Sequence, residues 1–291
     1  MSGGPATVGS VILVTGATGN VGRNVVSGLV DAGVEVRAIS RHASVSGLPP
    51  RVDVVEGDLS DPDVLVRSLA DVDTVFLIWK QVSTRNHPAA IDALARHVRR
   101  VVYVSSLHVD DDADEQLHPM SQTHADIERR IQRSGLAWTF LRAAWLASNA
   151  HQWAEEIRAG DVVRIPNAAS SRSPIDPRDV AAVGVCVVTE PGHDGAKHVL
   201  TGPERMTEGK VVLAVGDAVG RSIRLDEVPP GVARQEMLDE GLPAAFVEAT
   251  MSAWARLVEH PEPITTTVED VTARPPRTFR VWAADHLDAF R

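Results

Sequence analysis

Apolar residues along this chain change between two spacings. Short β-branched runs read as strands: VILVT (11–15), VEVRAIS (34–40), VDVVEG (52–57), DTVFLIW (73–79), RVVYVSS (100–106) and AWTFLR (137–142). Between them the apolar positions recur at helical spacing, from Val21 to Val30, Val64 to Leu69, Ile91 to Val98 and Ile127 to Ile131. Parallel strands need a crossover connection, usually a helix, so strict alternation of the two patterns predicts βαβ units. The expectation is a doubly wound parallel sheet over residues 11–150, preceded by a flexible tail at 1–10. Beyond residue 150 the rhythm loosens. HQWAEEIRAG reads as a helix ending at Gly160, and DPRDVAAVGVCVV as a helix with Pro177 near its start. KHVLTG and SIRLDEV read as strands around a helix-like MTEGKVVLAVGDAVG, and Gly231–Arg291 as mostly helical with breaks at the prolines of EHPEP and RPP. Residues 151–291 are expected to form a small α+β substrate-covering portion interleaved with the first.

Composition narrows the function classes. With 291 residues, 44% hydrophobic and 23% charged, the chain has ordinary globular proportions. No apolar run approaches the ~18 residues needed to span a bilayer, and the first ten residues lack the basic-then-apolar order of a signal peptide. A formal charge of −10 argues against nucleic acid, whose phosphates require clustered Lys and Arg. The single Cys186 excludes an internal disulfide and suits a reducing, cytoplasmic setting. The acidic run DDDADE at 110–115 reads as a solvated loop, without the spacing of a metal site. No metal is expected, and oligomeric state stays open.

The first candidate chemistry lies where the first strand ends. Gly16, Gly19 and Gly22 form G-A-T-G-N-V-G between a strand and a helix. A sharp turn, a close backbone approach to a ligand and tight helix–strand packing each favour a residue without Cβ. The N–H groups of the new helix, aided by its dipole, then hold a pyrophosphate. The context of strand, turn and helix gives the motif its weight and makes the domain Rossmann-like. At the end of the second strand, where an NAD-selective protein places a carboxylate for the ribose 2′-hydroxyl, this chain has Ser40, Arg41 and His42. A guanidinium suits a 2′-phosphate, so NADP(H) is the expected cofactor.

These residues, with others along the chain, resemble the NmrA-like group of atypical short-chain dehydrogenases/reductases. The likeness includes VTGATGNVGR, the Gly57-Asp58-Leu59 close of the third strand, and VVYVSS ending the fifth. It continues in the helix from His124 to Gly135, the strand from Trp138 to Asn149, IDPRDVA at 175–181 and RPPRTFRVW at 274–282. The resemblance implies that Thr18, Asn20 and Val21 line the cofactor phosphates, Asp58 and Leu59 the adenine, and Ser105 with residues 142–145 the nicotinamide side.

One departure governs the chemistry. Catalytically competent members of the wider superfamily use Tyr-x-x-x-Lys, and this chain has none: its only tyrosine is Tyr103, and its lysines are Lys80, Lys197 and Lys210. Met120 and His124 stand at the matching positions, and Ser106 falls on the partner serine. An acceptor needing no strong protein acid, such as a quinone, remains reducible through proximity and orientation. Alternatively His124, His108 or His118 supplies the proton, His124 being the best matched. A third reading is an NADP(H)-binding redox sensor acting through a protein partner, without chemistry. Trp79, Met120, Trp145 and Trp153 are the expected lining of a pocket for a flat, aromatic or quinone-like small molecule, at the carboxyl ends of the strands. The favoured expectation is an NADPH-dependent reductase of a quinone-like or other conjugated carbonyl compound, in a tailoring step of secondary metabolism.

Overall fold

The computed structural model describes residues 11–42, 47–59, 61–79 and 87–291. The expected tail at 1–10 and Lys80 lie outside them. Strands β1 (Val11–Val14), β2 (Glu35–Ser40), β3 (Asp53–Glu56), β4 (Val72–Leu77), β5 (Arg100–Ser106) and β6 (Ala137–Ala143) form the body of a seven-stranded sheet. Its order is β3-β2-β1-β4-β5-β6 and then the later β9 (Ala196–Leu200), with every neighbouring pair parallel. The order reverses between β1 and β4, which places the crevice for a ligand at the carboxyl ends of these two strands.

Helices cover both faces. On one, α1 (Gly22–Asp31) packs with α6 (Pro177–Thr189), burying Val25, Val26, Leu29, Val180, Val183 and Val187 against Ile12, Val14 and Phe76. On the other, α2 (Pro62–Ser68), α3 (His87–His97) and α4 (Pro119–Arg133) bury Leu65, Ile91, Leu94, Ile127 and Ile131 against Leu13, Val75, Tyr103 and Phe140. Asp61, His118 and Asp176 cap α2, α4 and α6, each side chain accepting a backbone N–H of the first turn, and a proline opens each helix. Apolar spacing marks the fourth helix only at Ile127–Ile131, and the family resemblance only from His124 onward, whereas the helix begins at Pro119. Its first two turns carry polar residues and His118 as cap, which give no apolar periodicity.

A third cluster lies beyond the sheet, with Trp153, Ile157, Ile165, Val211, Val215, Phe279 and Trp282 at its heart. The expected helix at HQWAEEIRAG is a 3-10 turn (Ala147–Trp153) running into α5 (Ala154–Ala159). Beyond it come β7 (Val162–Ile165), β8 (Ser171–Arg172), β10 (Met206–Thr207), α7 (Glu208–Val219) and β11 (Arg224–Glu227). β7 pairs with β11 in parallel and β8 with β10 antiparallel. Helices α8 (Pro230–Asp239), α9 (Ala244–Glu259), α10 (Thr267–Thr272) and α11 (Phe279–Asp285) close the chain, broken at EHPEP and RPP. Since α6 and β9 complete the main sheet layer, the chain crosses back into the first half after residue 150. Among the described residues no helix is long and apolar enough to cross a membrane.

Candidate active site

β1 ends in a turn that is pinned from the side. The Thr15 hydroxyl donates to Ile78 O (2.9 Å) and accepts from Ile78 N (2.8 Å), tying the ends of β1 and β4 together. Gly16 then takes a positive φ of 60° with Ile78 against it, a conformation an L side chain rarely adopts. A Cβ on Gly22 would stand 2.2 Å from Gly16 O, so this close return of the chain excludes every other residue. No side chain caps α1, and the N–H groups of Asn20, Val21 and Gly22 find no acceptor among the described residues. Thr18 and Asn20 are exposed beside them, while Val21 is buried. A glycine cradle with free N–H groups at a helix N-terminus fits a dinucleotide pyrophosphate.

The neighbouring strand ends continue this surface. Ser40 is buried and its hydroxyl accepts from His42 N, tightening the end of β2. Arg41 is exposed and has no partner among the described residues. Arg37, two turns of the pleat earlier, is committed to Asp53, Ser68 O and Ala70 O. The contrast leaves Arg41 available to an anionic ligand. Asp58 is exposed and Leu59 half-buried at the end of β3.

The chemistry-bearing residues gather between β5 and α4. Tyr103 is fully buried, with its hydroxyl 2.7 Å from His124 Nδ1. Burial, followed by the Glu128 charge, pushes the phenol well above its usual range. Burial pushes the partly buried His124 imidazole down to about 4, so it is neutral at neutral pH. Met120 projects outward from the first turn of α4, 47% exposed. The Ser105 hydroxyl, expected on the nicotinamide side, donates to Glu128 Oε1 at 2.6 Å. The Ser106 hydroxyl, on the face opposite Ser105, accepts from His108 N (3.2 Å).

Glu128 belongs to a buried ion network that the sequence did not announce. Arg142 reaches it through Nε (3.0 Å) and Nη2 (2.6 Å), and grips Asp111 through Nη1 (3.0 Å) and Nη2 (2.7 Å). Lys197 also pairs with Asp111 at 2.6 Å. These hydrogen bonds, Arg142 foremost, hold the Asp111 carboxyl down to about 2. The run at 110–115 is therefore not simply solvated: Asp111 anchors it to β6 and β9. A shared signal existed in Arg142 inside a strand that is otherwise apolar, since a buried guanidinium demands carboxylates.

A second unannounced pairing lies one step past β5. His108 Nε2 meets Glu262 Oε1 at 3.1 Å, and Glu262 Oε2 accepts from Ser173 N (2.7 Å) and Ser173 Oγ (3.0 Å). Of the aromatic residues expected to line the pocket, Trp145 and Trp153 come together with ring centroids 6.1 Å apart. Trp153 is in the third core cluster and Trp145, half-buried, packs against it from outside. Trp79 is buried in the core with its ring edge-on to His87. Among the described residues no three metal-binding side chains converge.

Residues 16–191 match the model of a protein family described as NAD(P)H-binding. The chain belongs to this family. Its NmrA-like, atypical short-chain dehydrogenase/reductase character holds over nearly the full length. It is 34% identical to a (4-alkanoyl-5-oxo-2,5-dihydrofuran-3-yl)methyl phosphate reductase of Streptomyces griseus, covering 96% of this chain and 99% of the relative. It is 32% identical to an NAD(P)H azoreductase of Xenophilus azovorans, with the same coverage of 96% and 99%. The fold matches the NADPH complex of quinone oxidoreductase QOR2 from Escherichia coli with a TM-score of 0.78, at 22% identity over 94% of this chain and 99% of that one. The family member described here is an NAD(P)H-dependent oxidoreductase with a Rossmann-like fold.

Proposed function

We propose that this oxidoreductase reduces a quinone-like or otherwise conjugated carbonyl compound with NADPH. The observation that carries the reading is what occupies the place of the tyrosine acid: an outward-facing Met120 and a His124 that is neutral and bonded to Tyr103. Hydride addition to a simple ketone leaves a localised alkoxide that needs a strong donor beside it. A conjugated acceptor spreads the same charge and needs less. The bound cofactor supplies the hydride. The glycine cradle and the α1 N-terminus hold its phosphates through Gly16, Thr18, Gly19, Asn20, Val21 and Gly22, and Asp58 and Leu59 flank the adenine. Arg41, exposed at the end of β2 with no partner among the described residues, selects the 2′-phosphate.

The remaining roles follow from position. Ser105, locked by Glu128, fixes the end of β5, and Ser106 orients the turn that follows. Trp145 presents a flat apolar surface backed by Trp153. The relatives named above act on an azo compound and on an alkanoyl-oxo-dihydrofuran, which supports an acceptor with extended unsaturation and a place in secondary metabolism.

The test is NADPH oxidation by the purified chain with a panel of quinones, enones and unactivated ketones. Turnover is expected with quinones and enones and scarcely at all with simple ketones. Equal or faster turnover with simple ketones overturns the reading.

A further inference from the structure

The three histidines near the carboxyl end of β5 have different surroundings. His124 is bonded to Tyr103 and held neutral. His118 spends Nδ1 on the N–H of Met120 as the cap of α4, places Nε2 3.3 Å from the Thr250 hydroxyl and stacks edge-on with Phe246. Burial, then the nearby His108, push its imidazole below the usual value. His108 differs from both. Its side chain is 41% exposed, yet its partner Glu262 has a side chain wholly shielded from solvent.

Glu262 is built to stay charged. Burial alone would raise its carboxyl, but the hydrogen bond and charge of His108, the Ser173 N–H and the Arg172 guanidinium hold it below the usual range. Arg172 Nη1 lies 3.7 Å away, and Arg205 donates to the Glu262 carbonyl, fixing the backbone. The segment carrying Glu262 crosses the carboxyl end of the sheet, where Thr265 donates to Val199 O of β9. A buried carboxylate bonded to one nitrogen of an exposed imidazole is the arrangement that fixes a ring for proton transfer. The other nitrogen, Nδ1, has no hydrogen-bond partner among the described residues.

We propose that His108, oriented by Glu262, is the proton donor for the acceptor reduced at this site. This rests on the reductase reading above. Hydride adds to one end of the conjugated system, the π electrons shift to the carbonyl oxygen at its far end, away from the position of the missing tyrosine, and that oxygen forms its O–H bond with the proton leaving the His108 imidazolium; the oxygen of a simple ketone, bound to the carbon that takes the hydride, lies out of its reach. The acceptor gains two electrons and two hydrogens, NADPH becomes NADP⁺, and neutral His108 regains its proton from water. The groups facing the ring are Glu262 from the 260–266 segment, Arg172 of β8 behind it and His118 at the start of α4.

The experiment compares wild type with His108→Ala, His108→Gln and Glu262→Gln, using NADPH and a quinone that wild type turns over. His108→Gln keeps an N–H for Glu262 and serves where the alanine variant unfolds. Both His108 variants are expected to lose ~10²–10⁴-fold in kcat, and added imidazole is expected to restore part of the rate of His108→Ala. Glu262→Gln loosens the hold on the ring and should lower kcat while leaving KM for the quinone nearly unchanged. Unchanged kcat in folded His108→Gln, or a Glu262→Gln variant whose kcat and KM both match wild type, overturns the assignment. A wild type that oxidises NADPH with none of the quinones or enones overturns the reductase reading itself.

Discussion

The two halves of the sheet do their work with different parts of the chain. In the β2-β1-β4 half, backbone does it: a pinned turn, a glycine return too tight for a Cβ, and N–H groups left open at a helix start. In the β5-β6-β9 half, buried side-chain charges do it: Glu128, Arg142 and Asp111 beneath Ser105, and Glu262 behind His108. Backbone geometry at a turn is dictated by residues adjacent in sequence, so a short motif reports it. Paired buried charges are dictated by whichever segments the fold brings together. The half proposed to bind the cofactor is thus local, and the half proposed to do the chemistry is assembled.

The largest expected effect tests the assembled half. Arg142→Ala strands the buried Glu128 carboxylate and leaves Asp111 with Lys197 alone, and should cost about 3–5 kcal/mol of stability, measured by urea unfolding. It should also release Asp111. That carboxyl, held at about 2 by Arg142, stabilises the fold above its ordinary pKa and loses this as pH falls toward 2. The variant should therefore show a weaker acid dependence in that window; a cost within experimental error would mean that the network only decorates the strand.

Gly22→Ala probes the local half. The added carbon meets a backbone oxygen, so the loop must move. About 1–3 kcal/mol of stability and most of the NADPH affinity should be lost. Calorimetry with unaltered affinity would remove the glycine cradle from the site. Arg41→Ala is a smaller and more selective probe. Losing charge-assisted hydrogen bonds worth ~1.5–3 kcal/mol should weaken NADPH roughly 10- to 100-fold and leave NADH alone. Equal affinity of wild type for the two cofactors defeats the 2′-phosphate role.

Tyr103→Phe should have the smallest effect. It removes the hydroxyl bonded to His124 and should cost about 1 kcal/mol, with turnover nearly intact. The pH dependence sharpens it. A histidine held at about 4 in the fold binds fewer protons than the unfolded chain between pH 6.5 and 4. Stability is therefore full above 6.5 and declines as pH falls through that window. His124→Gln should flatten the decline in unfolding midpoints taken across it; an unchanged slope would place the acid sensitivity elsewhere.

What was legible follows the same division. Six parallel strands, their crossover helices, the glycine turn and the lone Arg41 were all readable, because alternation and turn chemistry are properties of neighbouring residues. β7 and β8 escaped because four and two residues are too short for a period to register. The acidic run at 110–115 read as solvent-facing because nothing near it names Arg142. His124 led the histidines by motif position alone, while burial determines its charge. Glu262 lies 154 residues from His108, and EHPEP reads only as a helix break. No local pattern marks it as the partner of an imidazole.

The return of α6 and β9 to the first half sets an order of events during synthesis. α6 supplies much of the apolar cover for α1, and β9 pairs with the outer edge of β6. When residues 11–150 have left the ribosome, the glycine turn is complete, but one face of α1 is bare and β6 is an open edge able to pair with another chain. These surfaces close only after about fifty more residues emerge, through contacts far apart in sequence and slow to form. A chain truncated near residue 150 would therefore carry the whole cofactor motif and aggregate; the nascent protein must be shielded over that stretch before its nucleotide site can be of use.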